Sequence, residues 1–359
     1  MKVLVTGGFG LVGRQVVSIL LNQGHTVRLF DRAAAGRVAT IVRSAAQPIR
    51  KAVRQLLGRR KHGGSSAFEM IRGDLCNIAD VGEAVKGVDA VIHLGALIPP
   101  AADRHPGYAR YVNLGGTQNV IRAMTESAPD ALLIYTSSVA VYGDRLADPQ
   151  IKVGDQPNPN SDDYYAQQKL AAEKQIRDSG LRHVIFRLTA IMSSEKLRMD
   201  PLMFRMPLTT CLEICSPRDT ARALCAAVAT PGVEGKMYHL AGGEKCRTTF
   251  GEYLRNVFEI MGLGRDLLPD SAFSTAGYHC GYMETQEPQS LLSFQHDTLQ
   301  DHYAEVRAAV RGRRLLLRIL RPIIRPYLLR RSSYWMASRL QRRVRFGSSI
   351  GRKRAHLPA

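Results

Sequence analysis

The chain has 359 residues, of which 45% are hydrophobic and 23% charged, and a formal net charge of +19. That size fits one large α/β domain with a small second lobe, or two modest domains, and is long enough to bury a sizeable core. The charge looks like a nucleic-acid signal, but residues 306–359 hold sixteen Lys and Arg with no acid, and residues 33–66 hold eight with no acid. Without the sixteen the net charge falls to +3, and without the eight as well to −5. The body is mildly acidic and the positive charge sits on two appendages, which argues against nucleic acid as the partner. No apolar run approaches the roughly 20 residues that span a bilayer. The opening "MKVLVTGG" enters a strand directly, so no signal peptide is expected. Six scattered cysteines without a CxxC pair read as reduced and cytoplasmic.

In chain order, the first apolar run, "KVLVTG", passes through "GFGLVG" into a helical pattern and then "TVRLFD". Gly7, Gly10 and Gly13, with Leu11 and Val12 between them, follow a strand and open a helix. Glycines there permit a tight turn and close approach of backbone to a pyrophosphate, which the helix N-terminus attracts. Asp31 ends the second run, where a carboxylate can accept both ribose hydroxyls and repel a 2′-phosphate. This favours NAD, while the adjacent Arg32 keeps NADP open. Residues 33–66 interrupt the alternation and end in the hinge-like "HGGSS".

Five further runs follow: "FEMIRGD", "AVIHLGA", "LLIYTSS", "HVIFRLT" and "KMYHLAGG", separated by helical patterns. Alternation of this kind predicts a Rossmann-type, doubly wound parallel sheet covered on both faces. "YTSSVAVYG" puts hydroxyls at the carboxyl edge of the sheet, where open α/β sheets bind ligands. In "DDYYAQQK", Tyr165 and Lys169 stand four apart and share a helix face. A tyrosine acting as acid and base needs its pKa of about 10 lowered, which a nearby ammonium does. Tyr164 has Gln168 in that place instead. His93, in a buried-strand pattern, reads as structural. Cys211 and Cys215 read as small buried hydrophobes. With no HxH or HExxH, no metal is expected.

The ordered set "TGGFGLVG", Asp31, "GDL" (73–75), "HLGA" (93–96), "NLGGTQNV" (113–120), "SSVAVYG" and "YAQQK" resembles the extended short-chain dehydrogenase/reductase superfamily, also called the NAD-dependent epimerase/dehydratase family, from Met1 to about Glu305. The resemblance implies that Tyr165 moves the proton at the substrate oxygen. Lys169 would hold the nicotinamide ribose and lower the tyrosine pKa, and Ser138 would hydrogen-bond the same oxygen. Asp74 and Leu75 would contact adenine, Gly95 and Ala96 would line the cofactor, and Asn113 would support the backbone of the site. "RLTAI" at Arg187 resembles the family's sixth strand without its usual proline, tyrosine and glycine.

The family contains several chemistries. Its dehydratases carry an Asp-Glu pair where this chain has Ser138-Val139, which demotes lyase activity. A nucleotide-sugar epimerase with bound NAD remains an alternative, as does a non-enzymatic NAD(P)-sensing scaffold, which would not need the Ser/Tyr/Lys set. The segment between "RLTAI" and "SPRDTARAL" is short and rich in Met and Leu, suiting either an adaptable apolar pocket or ordinary lid core. Arg198, Arg205 and Arg218 could meet a diphosphate. The balance favours an alcohol/ketone oxidoreductase acting on an apolar small molecule, similar to the hydroxysteroid dehydrogenase branch.

As a helix, the tail puts Arg311, Arg314, Arg318, Arg321 and Arg325 on one stripe, with Leu and Ile on the other faces. That is the pattern of an interfacial helix on an anionic membrane, with arginines reaching for phosphates. Pro322 and Pro326 predict a kinked pair of segments. The 33–66 insert repeats the amphipathic theme. Docking on a protein, including a second copy in a homodimer, is the competing reading. The expected organisation is a Rossmann domain over 1–188 with its insert at 33–66, a substrate lobe over 189–305 interleaved with it, and a basic amphipathic tail over 306–359, the whole held at the inner face of a membrane.

Overall fold

The computed structural model describes residues 1–32, 67–196 and 199–340. The 33–66 insert, Arg198 and the chain beyond residue 340 lie outside the described residues. All seven runs form strands of one sheet: β1 (Lys2–Thr6), β2 (Thr26–Asp31), β3 (Phe68–Arg72), β4 (Ala90–His93), β5 (Leu132–Ser138), β7 (His183–Leu188) and β10 (Met237–Leu240). Their order is β10-β7-β5-β4-β1-β2-β3, and every pairing is parallel. The central strands are buried on both faces, so they are largely apolar rather than alternating. One core layer joins Val3, Val5, Val27, Ile92 and Phe186 to helix α1 (Leu11–Asn22). The other joins Leu4, Val91, Leu133 and Ile185 to α2 (Ile78–Val85), α3 (Gly116–Ser127) and α4 (Tyr164–Asp178).

The crossing from β3 back to β4, on the other side of β1, reverses the direction in which the sheet is built, and ligands bind in open α/β sheets at that switch. Past β7 the chain leaves the sheet for β8 (Ala190–Ile191) and β9 (Cys211–Cys215). It returns through α5 (Pro217–Ala227), which packs on α1, and ends the sheet with β10. The second lobe adds β11 (Arg247–Thr249), antiparallel to β9, together with α6 (Phe250–Ile260), β12 (Tyr282–Met283, paired with β6 at Gln150–Ile151), α7 (Gln286–Leu292) and α8 (Leu299–Val310). Its core centres on Phe204, Leu212, Leu254, Phe258 and Val306.

The tail helix α9 spans Arg314–Arg330 as one element with Pro322 and Pro326 inside it. The expected break into two segments is therefore not seen. Both prolines sit on the exposed side, while Leu317, Ile324 and Leu328 anchor the opposite face in the second core. Packing on that face holds the helix through the two missing N–H donors.

Candidate active site

The glycine turn is built as its spacing predicts. Gly7 has φ +67°, and a Cβ there would lie 2.9 Å from the Gly95 Cα. A Cβ on Gly13 would lie 2.5 Å from the Gly7 carbonyl oxygen. Gly10 precedes α1 and supplies no side-chain cap, so the first N–H groups of that helix keep their donors. Asp163, Ser216 and Thr249, by contrast, cap the helices that they precede. The Asp31 carboxylate accepts the Phe9 N–H at 3.1 Å, which ties the end of β2 to the turn.

A cleft of about 270 Å³ opens there, lined by Gly7, Gly10, Asp31, Arg32, Asp74, Leu75, Gly95 and Ala96 among others. Eight of the residues expected to hold a dinucleotide thus border one cavity, while Leu11, Val12 and Gly13 lie in the helix start just beyond it. Phe9, Phe30 and Tyr108 also line it, and no motif marks Tyr108. Arg32 lies 3.9 Å from Asp74 and hydrogen-bonds the Tyr108 hydroxyl, so its charge is partly engaged at the rim. The Thr6 hydroxyl accepts the Leu94 and Gly95 N–H groups at 3.2 and 3.1 Å and fixes the cleft floor.

Ser138 ends β5, next to the strand that leads to Gly95. Ser138 and the Tyr165 hydroxyl are neighbours at this edge. Burial and the Asp163 carboxylate push the Tyr165 hydroxyl up. The expected lowering by Lys169 is therefore not realised here: the ammonium donates to the Thr136 carbonyl at 2.7 Å and stands 5.9 Å from the Tyr165 ring centre. Burial pulls Lys169 down to about 8, opposed by the Glu173 carboxylate. Asn113 ties the Leu97 backbone to Gln168. It accepts the Leu97 N–H at 2.7 Å and donates to the Leu97 carbonyl and to Gln168, both at 2.9 Å. It does not line the cleft.

Beneath the edge runs a buried polar chain that motif reading missed. Glu173 is fully buried and accepts from Ser137 at 2.5 Å and from Arg187 at 2.9 and 2.7 Å. Arg187 also donates to the Tyr142 hydroxyl at 2.7 Å, which meets His239 at 2.5 Å. Burial would raise the Glu173 carboxyl, but Arg187 outweighs it and holds the group below the usual range. Tyr165, Lys169 and Glu173 advance by four along α4, so the spacing did carry the signal.

His93 sits between the hydroxyls of Thr6 at 2.7 Å and Thr117 at 3.1 Å, and burial holds it down near 3, which fits a structural histidine. Cys215 is buried and Cys211 half-buried, both as free thiols. Among the described residues no cluster could hold a metal. The lid residues Met192, Met199, Met203, Met206 and Leu208 pack on the second core, so these side chains serve largely as lid core. Arg205 pairs with Asp162 at 2.8 Å, and Arg218 with Asp297 at 2.9 Å and Glu305 at 2.5 Å.

The family model for the NAD dependent epimerase/dehydratase family matches residues 3–207. The chain is 32% identical over 181 residues to a 3 beta-hydroxysteroid dehydrogenase/Delta 5→4-isomerase of Mycobacterium tuberculosis, covering 48% of this chain and 41% of that protein. It is 28% identical over 183 residues to the decarboxylating sterol-4-alpha-carboxylate 3-dehydrogenase of Mus musculus, covering 50% and 41%. The chain thus spans about two fifths of the length of these curated relatives. The UDP-glucuronic acid 4-epimerase of Bacillus cereus, solved with UDP-glucuronic acid and NAD, superposes with a TM-score of 0.66 at 19% identity, covering 87% of this chain and 99% of that one. Together with the sheet order and the glycine cleft, the match over residues 3–207 places the protein: it belongs to the NAD-dependent epimerase/dehydratase family.

Proposed function

We propose that the protein is an NAD-dependent oxidoreductase, with NADP as the lesser alternative, acting at a secondary alcohol or ketone of an apolar, steroid- or lipid-like small molecule. The observation that carries this reading is the placing of Ser138 and Tyr165 as neighbours at the end of β5, one strand from the glycine cleft, with the buried Lys169 ammonium 5.9 Å from the Tyr165 ring centre. The nicotinamide cofactor, when bound, would accept or supply the hydride. The N–H groups of the Gly10–Gly13 turn would hold its pyrophosphate and Asp31 the adenosine ribose. Asp74 and Leu75 would flank the adenine, and Lys169 would hold the second ribose. Ser138 would orient the substrate oxygen while Tyr165 exchanges a proton with it. Burial keeps that proton on Tyr165 at rest, so the resting site is ready to protonate a ketone oxygen during reduction.

Two points support an apolar substrate over a nucleotide sugar. Arg205 and Arg218 are already paired with carboxylates, which leaves them poor partners for a diphosphate. The sequence relatives include hydroxysteroid and sterol dehydrogenases. Structural neighbours solved with UDP sugars keep an epimerase as the alternative. We also propose that the basic appendages hold the protein at an anionic membrane surface. Among the described residues no helix is long and apolar enough to cross a membrane.

A panel of hydroxysteroids and long-chain secondary alcohols, read by bulk formation of NADH, tests the reading. Stoichiometric reduction of added NAD⁺ is expected. Epimerisation of a UDP sugar with no net NADH would replace the oxidoreductase by the epimerase.

A further inference from the structure

The sequence pattern gives the tail an arginine stripe facing the surroundings, with apolar side chains on the other faces. The structure turns that helix round. Arg325 Nε donates to the Leu267 carbonyl at 2.9 Å, and Arg314 and Arg321 lie against Gly262 and Gly264 of the second lobe. On the same side Leu317, Ile324 and Leu328 enter the second core. The opposite side is apolar and open. Leu316, Ile319, Ile323 and Tyr327 advance by three, four and four residues, so they line one face of a helix with 3.6 residues per turn. Leu315 is 71% exposed, Ile319 65% and Ile323 66%. Met336 and Leu340, in the helical stretch that follows, are exposed as well.

Resting on the membrane reading above, we propose that α9 inserts this outer face, not its arginine stripe, into the headgroup boundary of an anionic phospholipid bilayer. Single exposed hydrophobics are ordinary, but a contiguous helical row of them marks a contact surface. Charge decides which partner it fits. The face belongs to a segment, residues 306–359, with sixteen basic residues and no acid. The exposed Arg313 and Arg330 lie near its two ends, where guanidinium groups can reach lipid phosphates. Tyr327 is held at the rim by Arg331, which donates to its hydroxyl at 2.7 Å and lies over its ring at 5.4 Å. An apolar strip with basic edges matches an interfacial helix on anionic lipid. A second copy of the chain would have to set this cationic segment against itself. Because the inner face of α9 is fastened to the second lobe, insertion would seat that lobe on the bilayer.

The test is co-sedimentation of the full-length protein with vesicles of phosphatidylcholine and phosphatidylglycerol mixed three to one, compared with pure phosphatidylcholine. The wild type should pellet with the anionic vesicles. The triple substitution Leu316→Ser, Ile319→Ser, Ile323→Ser should lower the partition coefficient about 100-fold, given the apolar area removed. Circular dichroism and thermal melting should be unchanged, since none of the three packs inside. Wild type that stays in the supernatant sinks both the inserted face and the membrane reading. Wild type that pellets, with the triple variant pelleting equally, sinks the inserted face and leaves attachment by charge alone. A wild-type dimer in vesicle-free buffer that the same substitutions convert to a monomer assigns the face to a second copy and overturns the proposal.

Discussion

The sheet edge below Ser138 and the outer side of α9 place polarity in opposite ways. At the edge, charge is buried and partnered: Glu173 is met by Ser137 and Arg187, and Lys169 by the Thr136 carbonyl. On α9, arginines stand at the seam with the lobe and hydrocarbon faces outward. The first arrangement costs desolvation and returns a fixed geometry, because every member limits the positions of the next. The second contributes little to the folded monomer, and its apolar side chains gain only when something covers them. Substitution at the edge should therefore be read in catalysis and stability, and substitution on the outer face of α9 in partitioning.

The largest effect is expected at Tyr165. Tyr165→Phe keeps the ring and removes the hydroxyl that neighbours Ser138. Turnover should fall by about 10³-fold, the usual scale for a lost general acid or base. Because Tyr165 does not border the glycine cleft, the NAD dissociation constant should stay unchanged by calorimetry. Turnover within a few fold of wild type would remove Tyr165 from the chemistry.

Gly7→Ala comes next. The new Cβ would meet Gly95 backbone at 2.9 Å, and the residue would sit at φ +67°. Neither neighbour can swing aside, so NAD affinity should drop by about 100-fold or more, as expected where backbone must approach a phosphate. Gly24→Ala is the control: φ is +80° there but a Cβ meets nothing within 4 Å. It should cost about 1–2 kcal/mol of stability and leave binding alone.

These glycines show which parts of the molecule were open to sequence reading. Seven parallel strands follow from the alternation of apolar runs and helical patterns, and the Gly7–Gly13 turn with Asp31 from its spacing, whereas Asp74, Leu75, Gly95 and Ala96 were marked by the resemblance to the family. The Glu173–Arg187 pair was legible only in half. Glu173 lies four past Lys169, but its partner comes from β7 and is brought there by the fold. The orientation of α9 was not legible. A helix with arginine on one face and leucine on the others satisfies two burials, and the lobe selected the one that uses Leu317, Ile324 and Leu328.

Breaking the buried pair tests the edge as a network. Glu173→Gln leaves Arg187 without its carboxylate and should cost about 3–5 kcal/mol in urea unfolding. The double change Glu173→Leu, Arg187→Leu should cost less than the single one, because no uncompensated charge remains. A larger loss in the double variant would mean that Ser137 and Tyr142 depend on the pair more than the pair depends on itself.

Acid should act on the same region. Burial holds His93 near 3 and, with the Arg187 charge, His239 near 4, so both are neutral in the folded protein at physiological pH. Unfolded, each returns to about 6.5 and takes up a proton below it. Their contribution is complete above that value and is lost as pH falls toward the folded pKa values. The slope approaches 1.4 kcal/mol per pH unit for each histidine, in rough terms. Urea midpoints between pH 7.5 and 5 should fall accordingly, and His93→Gln should make the slope shallower; an unchanged slope would count against a neutral, buried His93.

The smallest stability effect should separate the two sides of α9. Leu328 is buried in the second core, and Leu328→Ala should cost about 2–4 kcal/mol. Ile319 stands on the open side, and Ile319→Ser should lie within about 0.5 kcal/mol of wild type at dilute concentration. The two positions are nine residues apart on one continuous helix, so the contrast isolates the face rather than the segment. If Ile319→Ser costs as much as Leu328→Ala, the outer face is already covered in solution and its exposure in the single chain is not the working state. If the cost is negligible, the apolar row is retained for something other than folding, and the hydrophobic energy left unused on α9 is available to a surface that the protein meets.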